Sequence, residues 1–255
     1  QDLPMPLSPQ TPPAKDQPAP VTQLRRPRDG FLFVVTYGRS GSTLTQKLLN
    51  AIPGYCIRGE NGNALYHMCR LVDTLQREPN FQLRKDQLAG KGRPVPEMET
   101  PSDPWYGAEL VDAEGTARRL FNLFCRDFLH MPEGTRVAGF KEIRYFNDLT
   151  FLPRQLEIMQ TYFPKARILF LTRDHGQVAN SSWWRGHDKE GLIEKLARAD
   201  QAFRDYAGSH KACFILDYSA FAGGLATLRP LYDFLGEVPD PARVAEVAET
   251  LGRIE

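Results

Sequence analysis

Two short stretches carry residue types that could grip anions. The first is Tyr37-Gly38-Arg39-Ser40-Gly41-Ser42-Thr43, which runs from an apolar block into a helix-like pattern. A turn this rich in small residues can aim several backbone N–H groups at one point. A helix dipole beginning near Ser42 adds positive potential there, so the turn suits a phosphate-like group. It is not the usual triphosphate loop G-x-x-x-x-G-K-[ST]: that pattern needs glycine at 36 and lysine at 42, where this chain has Thr36 and Ser42. Taken alone, Gly38 and Gly41 serve equally well as a tight strand-to-helix turn with no ligand.

The second stretch, "TRDHGQVANSSWW", follows the apolar run Ile168–Leu171. Arg173 falls just past the end of that run, and Ser181 lies eight residues on, on a segment read as helical. Arginine offers a planar bidentate fork to phosphate, and serine adds a hydroxyl donor. Pairing of Arg173 with Asp174 or a helix end is the simpler alternative. Two such grips at the ends of two strands are much less common than either alone. Lys141, in "VAGFKEIR", also projects from the end of a short apolar run, with Glu142 or another nearby carboxylate as an ordinary ion-pair partner. Glu60, in "IRGENGNALYHM", sits in a turn between Gly59 and Gly62.

The elements that must position these groups are legible from hydrophobic patterning. Phe31–Val35, Arg136–Phe140, Ile168–Leu171 and Cys213–Leu216 are apolar runs or short strand candidates, and Tyr55–Arg58 is a further strand candidate. Between them run helical patterns: Leu44, Leu48, Leu49 and Ile52; Ala117, Leu120, Phe121, Phe124 and Phe128; Leu152, Leu156, Met159 and Phe163; Leu192, Leu196, Ala199 and Phe203. Alternating strands and helices predict an α/β fold, a P-loop-like doubly wound parallel sheet with helices on both faces, in one domain over 30–255. Ligands of such sheets bind beyond the carboxyl ends of the strands, where the two grips fall. Residues 78–107 turn polar and rich in Pro and Gly, which predicts an irregular insertion, a loop covering a site or plain surface.

Composition narrows the function classes. At 255 residues with a formal net charge of +1, the chain can bury a sizeable core and lacks the basic excess of a nucleic-acid binder. No apolar run approaches the ~20 residues of a membrane helix. The four cysteines are widely spaced, with no C-x-x-C pair, which fits neither a zinc site nor a disulfide framework. Residues 1–29 hold eight prolines and few aliphatics, and read as a disordered tail or linker. The chain opens on Gln1, so a protein cut from a longer one and a matured one are both open readings. The wide cysteine spacing fits a cytoplasmic setting best.

The paired motifs resemble those of sulfotransferases that use 3′-phosphoadenosine 5′-phosphosulfate (PAPS), in particular the Golgi-type carbohydrate and tyrosylprotein branch and its bacterial relatives. The resemblance covers roughly Gly30 to Glu246, and it implies an enzyme, in the cytoplasm or, as the alternative, as a truncated Golgi lumenal domain. It implies that Gly38, Arg39, Ser40, Gly41, Ser42 and Thr43 hold the 5′-phosphosulfate and that Arg173 and Ser181 hold the 3′-phosphate. Arginine at 39 matches this branch, where cytosolic members carry lysine. The chain departs from the family at His175, and it lacks the C-terminal R-K-G-x-x-G motif of cytosolic members.

The resemblance also implies the chemistry. Sulfuryl transfer needs an in-line nucleophile and charge stabilisation at the leaving phosphate, which preorganised donors can supply with no metal. Arg39 would steady the leaving phosphate. Glu60, in the Gly-Glu context of the tyrosylprotein branch and 21 residues after the loop arginine, matches the general base, with His67 the nearest histidine alternative. Lys141 matches that branch's transition-state lysine. The implied activity is sulfation of a hydroxyl, on a carbohydrate or glycan, with a protein tyrosine, a small metabolite or P-loop-type nucleotide kinase activity as alternatives. Trp183 and Trp184 could stack on a ring of donor or acceptor. Adjacent helical residues point about 100° apart, so at most one would face the site.

Overall fold

A computed structural model describes residues 26–92 and 100–249. Most of the expected tail therefore lies outside the described residues, as do 93–99 of the polar insertion.

Five strands form one sheet: β1 (Gly30–Val35), β2 (Tyr55–Arg58), β3 (Val137–Glu142), β4 (Arg167–Thr172) and β5 (Cys213–Asp217). Their order is β2-β3-β1-β4-β5, and every pairing is parallel. β1 thus lies between β3 and β4. The chain reaches β3 on one side of it and crosses to β4 on the other, so the sheet reverses winding direction around β1. Crevices at such a reversal receive loops from strands on both sides.

β1 shows why the sheet is buried on both faces. Successive strand residues point to opposite sides. Phe31, Phe33 and Val35 pack into a cluster with α2 (Ala64–Arg77), α4 (Ala113–Phe124), α5 (Leu152–Tyr162) and α7 (Lys189–Ser209). Leu32 and Val34 pack into a second cluster with α1 (Ser42–Asn50), α8 (Leu225–Leu235) and α9 (Pro241–Glu249). All five side chains are fully or almost fully buried, each worth about 1.5–3 kcal/mol relative to exposure. Edge strand β2 is capped rather than bare: the Asn50 amide both donates to the Ile57 carbonyl and accepts from its N–H, at 2.9 and 2.7 Å.

Three features differ from the sequence reading. Lys141 lies within β3, not past it, because the strand runs on to Glu142. The helical pattern through Phe128 is interrupted. A π-type turn over Cys125–Leu129 widens the helix after Phe124, leaving Phe128 37% exposed and sending Leu129 inside. Inside the polar segment, Pro79–Leu88 is helix α3, with Pro79 in its first turn and a Glu78 carboxylate accepting from Asn80 N–H as its cap. It has no apolar stripe. It is held by a buried ion pair, Arg84 Nη2 to Asp103 Oδ1 at 2.8 Å, and by Phe81 edge-on to Trp105.

The four cysteines are unpaired, and burial pushes the Cys125 and Cys213 thiols up to about 12. Among the described residues, no helix is long and apolar enough to cross a membrane, and no cluster of His, Cys, Asp and Glu is placed to hold a metal ion.

Candidate active site

The loop after β1 is built on buried hydrogen bonds to β4. Thr36 Oγ1 donates to the Leu171 carbonyl at 2.7 Å. The Tyr37 hydroxyl accepts from Arg173 N–H at 2.9 Å and donates to the Arg173 carbonyl at 3.2 Å. One tyrosine therefore clamps both sequence-predicted anion grips to a common base. Burial raises its pKa well above the ordinary range.

Beyond Tyr37 the main chain turns sharply. Arg39 adopts a left-handed conformation, φ 66°, uncommon for a residue with a side chain. Gly41 follows at φ 90° and precedes α1, which has no side-chain cap, so its first N–H groups are left open to a ligand. Both loop glycines lie under aromatic rings. A Cβ on Gly38 would come within 2.9 Å of Trp183, and one on Gly41 would strike Cδ2 and Cε2 of Tyr218. We expect Gly41→Ala to cost about 1–3 kcal/mol in loop strain and to displace Tyr218. Calorimetric titration with adenosine 3′,5′-bisphosphate should show at least tenfold weaker binding, with the fold retained by circular dichroism.

A cavity of about 580 Å³ opens at the carboxyl ends of β1, β3 and β4. Arg39, Gly41, Ser42, Thr43, Glu60, Lys141, Arg173 and Ser181 all line it. Gly38 and Ser40 support the loop from beneath, and Ser40 is fully buried. Ser181 stands between α6 (His175–Ala179) and a 3₁₀ turn at Ser182–Trp184, in extended conformation. It is not on the helix, because α6 ends at Ala179. Of the two tryptophans, Trp183 lines the cavity, while Trp184 packs edge-on against Phe146. His67 is exposed on α2 and does not line the cavity.

The polar atoms of the site suit an anionic ligand. Arg39 Nε, Ser40 Oγ and Ser181 Oγ are buried with no hydrogen-bond partner among the described residues. Buried donors are normally satisfied, so those of Arg39 and Ser181, on residues that line the cavity, are available to a ligand. Arg173 is held from three sides: Nε donates to Gln177 Oε1 at 3.2 Å, Nη1 to the Arg39 carbonyl at 3.3 Å, and its guanidinium lies 4.1 Å above the Tyr218 ring. These residues fit a donor nucleotide with anionic groups at both ends of a ribose.

Tyr218 was not legible from sequence patterning. It follows β5 in a turn fixed by Asp217, whose carboxylate accepts from Ser219 N–H and Thr172 Oγ1. Burial raises the Asp217 pKa, but the Ser219 and Thr172 hydrogen bonds outweigh it and leave the carboxyl more acidic than usual. His175, a departure from the expected motif, has a structural partner. Its Nε2 lies 2.8 Å from Asp200 Oδ2 on α7 and ties α6 down. Burial raises the Asp200 pKa despite that contact.

On the opposite wall, Lys141 Nζ meets Glu60 Oε1 at 2.5 Å, and Arg144 Nη1 lies 3.4 Å from Glu60 Oε2. Lys141 is thus paired with Glu60 rather than Glu142. The arrangement places a carboxylate and an ammonium in one cavity with the loop over 38–43, groups chemically able to take a proton and to stabilise negative charge.

A family model described as "Sulfotransferase family" matches residues 32–240. Among solved structures, the chain is similar to a sulfotransferase domain from the curacin biosynthetic pathway. The identity there is 13%, with 87% of this chain and 78% of that one covered, at a TM-score of 0.49. It is also similar to sulfotransferase STF9 from Mycobacterium avium at 16% identity, over 91% of this chain and 69% of that one, at a TM-score of 0.43. No curated protein matches the chain. The family match spans all of the sheet but the first two residues of β1, and every loop that reaches the cavity, and the chain belongs to the PAPS-dependent sulfotransferase family.

Proposed function

We propose that this sulfotransferase modifies a hydroxyl of a carbohydrate or glycan, with Arg39, Glu60 and Lys141 as its catalytic residues. Bound PAPS supplies the sulfuryl group. The residues from Gly38 to Thr43 hold its 5′ end, Arg173 and Ser181 its 3′-phosphate. Glu60 accepts the acceptor's proton. Lys141 turns from Glu60 toward the charge that develops on the transferring group, and Arg39 with the loop N–H groups steadies the leaving phosphate. The observation that carries this reading is the Glu60–Lys141 pair facing the phosphate loop across one cavity. The glycan choice follows the resemblance of the paired motifs, Tyr37 to Thr43 and Arg173 to Ser181, to the carbohydrate branch of the family.

Two measurements test it. Adenosine 3′,5′-bisphosphate should raise the melting temperature by several degrees, whereas ATP with Mg²⁺ should not. At 100 times Kd a ligand adds about 2.7 kcal/mol. Stabilisation by ATP–Mg²⁺ alone would instead favour the nucleotide kinase reading. For the acceptor, labelled donor offered to oligosaccharides, tyrosine peptides and hydroxylated small molecules should label the oligosaccharides. Labelling of peptides alone would transfer the assignment to the tyrosylprotein class.

A further inference from the structure

Glu142, the last residue of β3, has a side chain only 1% exposed and sits directly behind the Glu60 wall of the cavity. A carboxylate desolvated to that degree needs local compensation. Four donors provide it. Oε2 accepts from Asn61 N–H at 3.3 Å and from Asn63 N–H at 3.0 Å. Oε1 accepts from Ile143 N–H at 2.9 Å and from Arg144 Nη1 at 2.8 Å.

The identity of these donors matters. Asn61 and Asn63 belong to the turn that carries Glu60, where Gly62 and Asn63 have φ of 69° and 64°. Left-handed residues let that turn fold its N–H groups around an anion, and the anion here is Glu142. Arg144 in turn is the second cation facing Glu60. One buried carboxylate therefore fixes both the main chain beneath Glu60 and the guanidinium that meets its free oxygen.

We propose that Glu142 and Arg144 are positioning residues for Glu60, an inference that rests on reading Glu60 as the base. Lys141 holds Glu60 Oε1 in the resting site. When Lys141 turns toward the transferring group, Glu60 loses that partner. Arg144, anchored on Glu142, still holds Oε2, so the base does not swing toward solvent as its first cation leaves.

The test is a pair of double-mutant cycles on transfer kcat, with bisphosphate affinity measured in parallel. Glu142→Gln replaces one acceptor oxygen by an NH₂ group, which must face either the two turn N–H groups or Ile143 and Arg144. It should lower kcat roughly 10–100-fold, the scale of a small misplacement of a catalytic group, with bisphosphate affinity unchanged. Combined with Glu60→Gln it should be no slower than Glu60→Gln alone, because residues acting as one unit are not additive. Arg144→Gln, at a half-exposed position, should behave the same way and decides the question if Glu142→Gln does not fold. A wild-type kcat in the single variants, or losses that multiply in the double ones, overturns the positioning role while leaving the base assignment intact. Full activity of Glu60→Gln overturns the base reading and the positioning role with it.

Discussion

Glu60→Gln is expected to lower kcat by roughly 10²–10⁴-fold, the usual contribution of a positioned general base, while binding adenosine 3′,5′-bisphosphate as the parent does. The substitution keeps the size of the side chain and one carbonyl oxygen able to accept from Lys141 Nζ, now 2.5 Å from Glu60 Oε1. What it removes is the capacity to take a proton. Among the described residues the Glu60 carboxylate is bonded by Lys141 and Arg144, neither of which is proposed to hold the donor, so donor binding should be retained.

A purely structural Glu60 makes a different prediction. Its side chain is 30% exposed, and partly exposed ion pairs contribute about 0–1 kcal/mol. On that account Glu60→Gln would lower the melting temperature slightly and leave transfer intact. Rapid-quench transfer with saturating donor, together with calorimetric binding of the bisphosphate, separates the two outcomes. A further contrast strengthens the design. Lys141→Ala should also depress kcat, but it leaves a carboxylate able to accept a proton, so its loss should not depend on the acidity of the acceptor hydroxyl, whereas the Glu60→Gln loss should shrink as that hydroxyl becomes more acidic.

What the sequence disclosed and what it hid divide along physical lines. β1 and the turn after it were legible because a continuous apolar run followed by small residues has few other uses. Tyr55–Arg58 was placed with its observed bounds. α3 was not read, because a helix normally announces itself by an apolar stripe, and this one is held by Arg84 on Asp103, a contact between residues far apart in sequence. Phe128 was misassigned because the π-type turn shifts the buried face by one residue, and no local pattern signals that shift. Tyr218 escaped for the same reason as α3: its place at the cavity shows only in its contacts with Gly41 and Arg173, both far away in sequence. Glu142 stood in the stretch around Lys141, but as a plausible partner of that lysine. Its actual partners are two backbone N–H groups of the Glu60 turn, its neighbour Ile143 N–H and Arg144. Side chains that serve backbone are the hardest to read from residue type.

Arg39→Ala is expected to cost about 10²–10³ in kcat, the loss typical of one preorganised donor at developing charge, and to raise the donor KM as well. The kinetic split apportions its two roles. A ground-state clamp appears in KM alone, whereas a group that strengthens its contact in the transition state appears in kcat and kcat/KM equally. Arg39→Lys keeps the charge but not the planar fork, so it should recover part of the KM effect and less of the kcat effect. The backbone supplies an independent check. At φ 66° an alanine retains the left-handed cost of roughly 1–2 kcal/mol that any Cβ incurs, and a glycine does not. Arg39→Gly should therefore melt several degrees above Arg39→Ala while being equally slow. A more stable, inactive Gly variant would show that the loop tolerates strain at this position to hold a guanidinium over the cavity. Equal melting temperatures would instead mean that the loop relaxes, and that Arg39 owes its placement to the Arg173 Nη1 contact with its carbonyl.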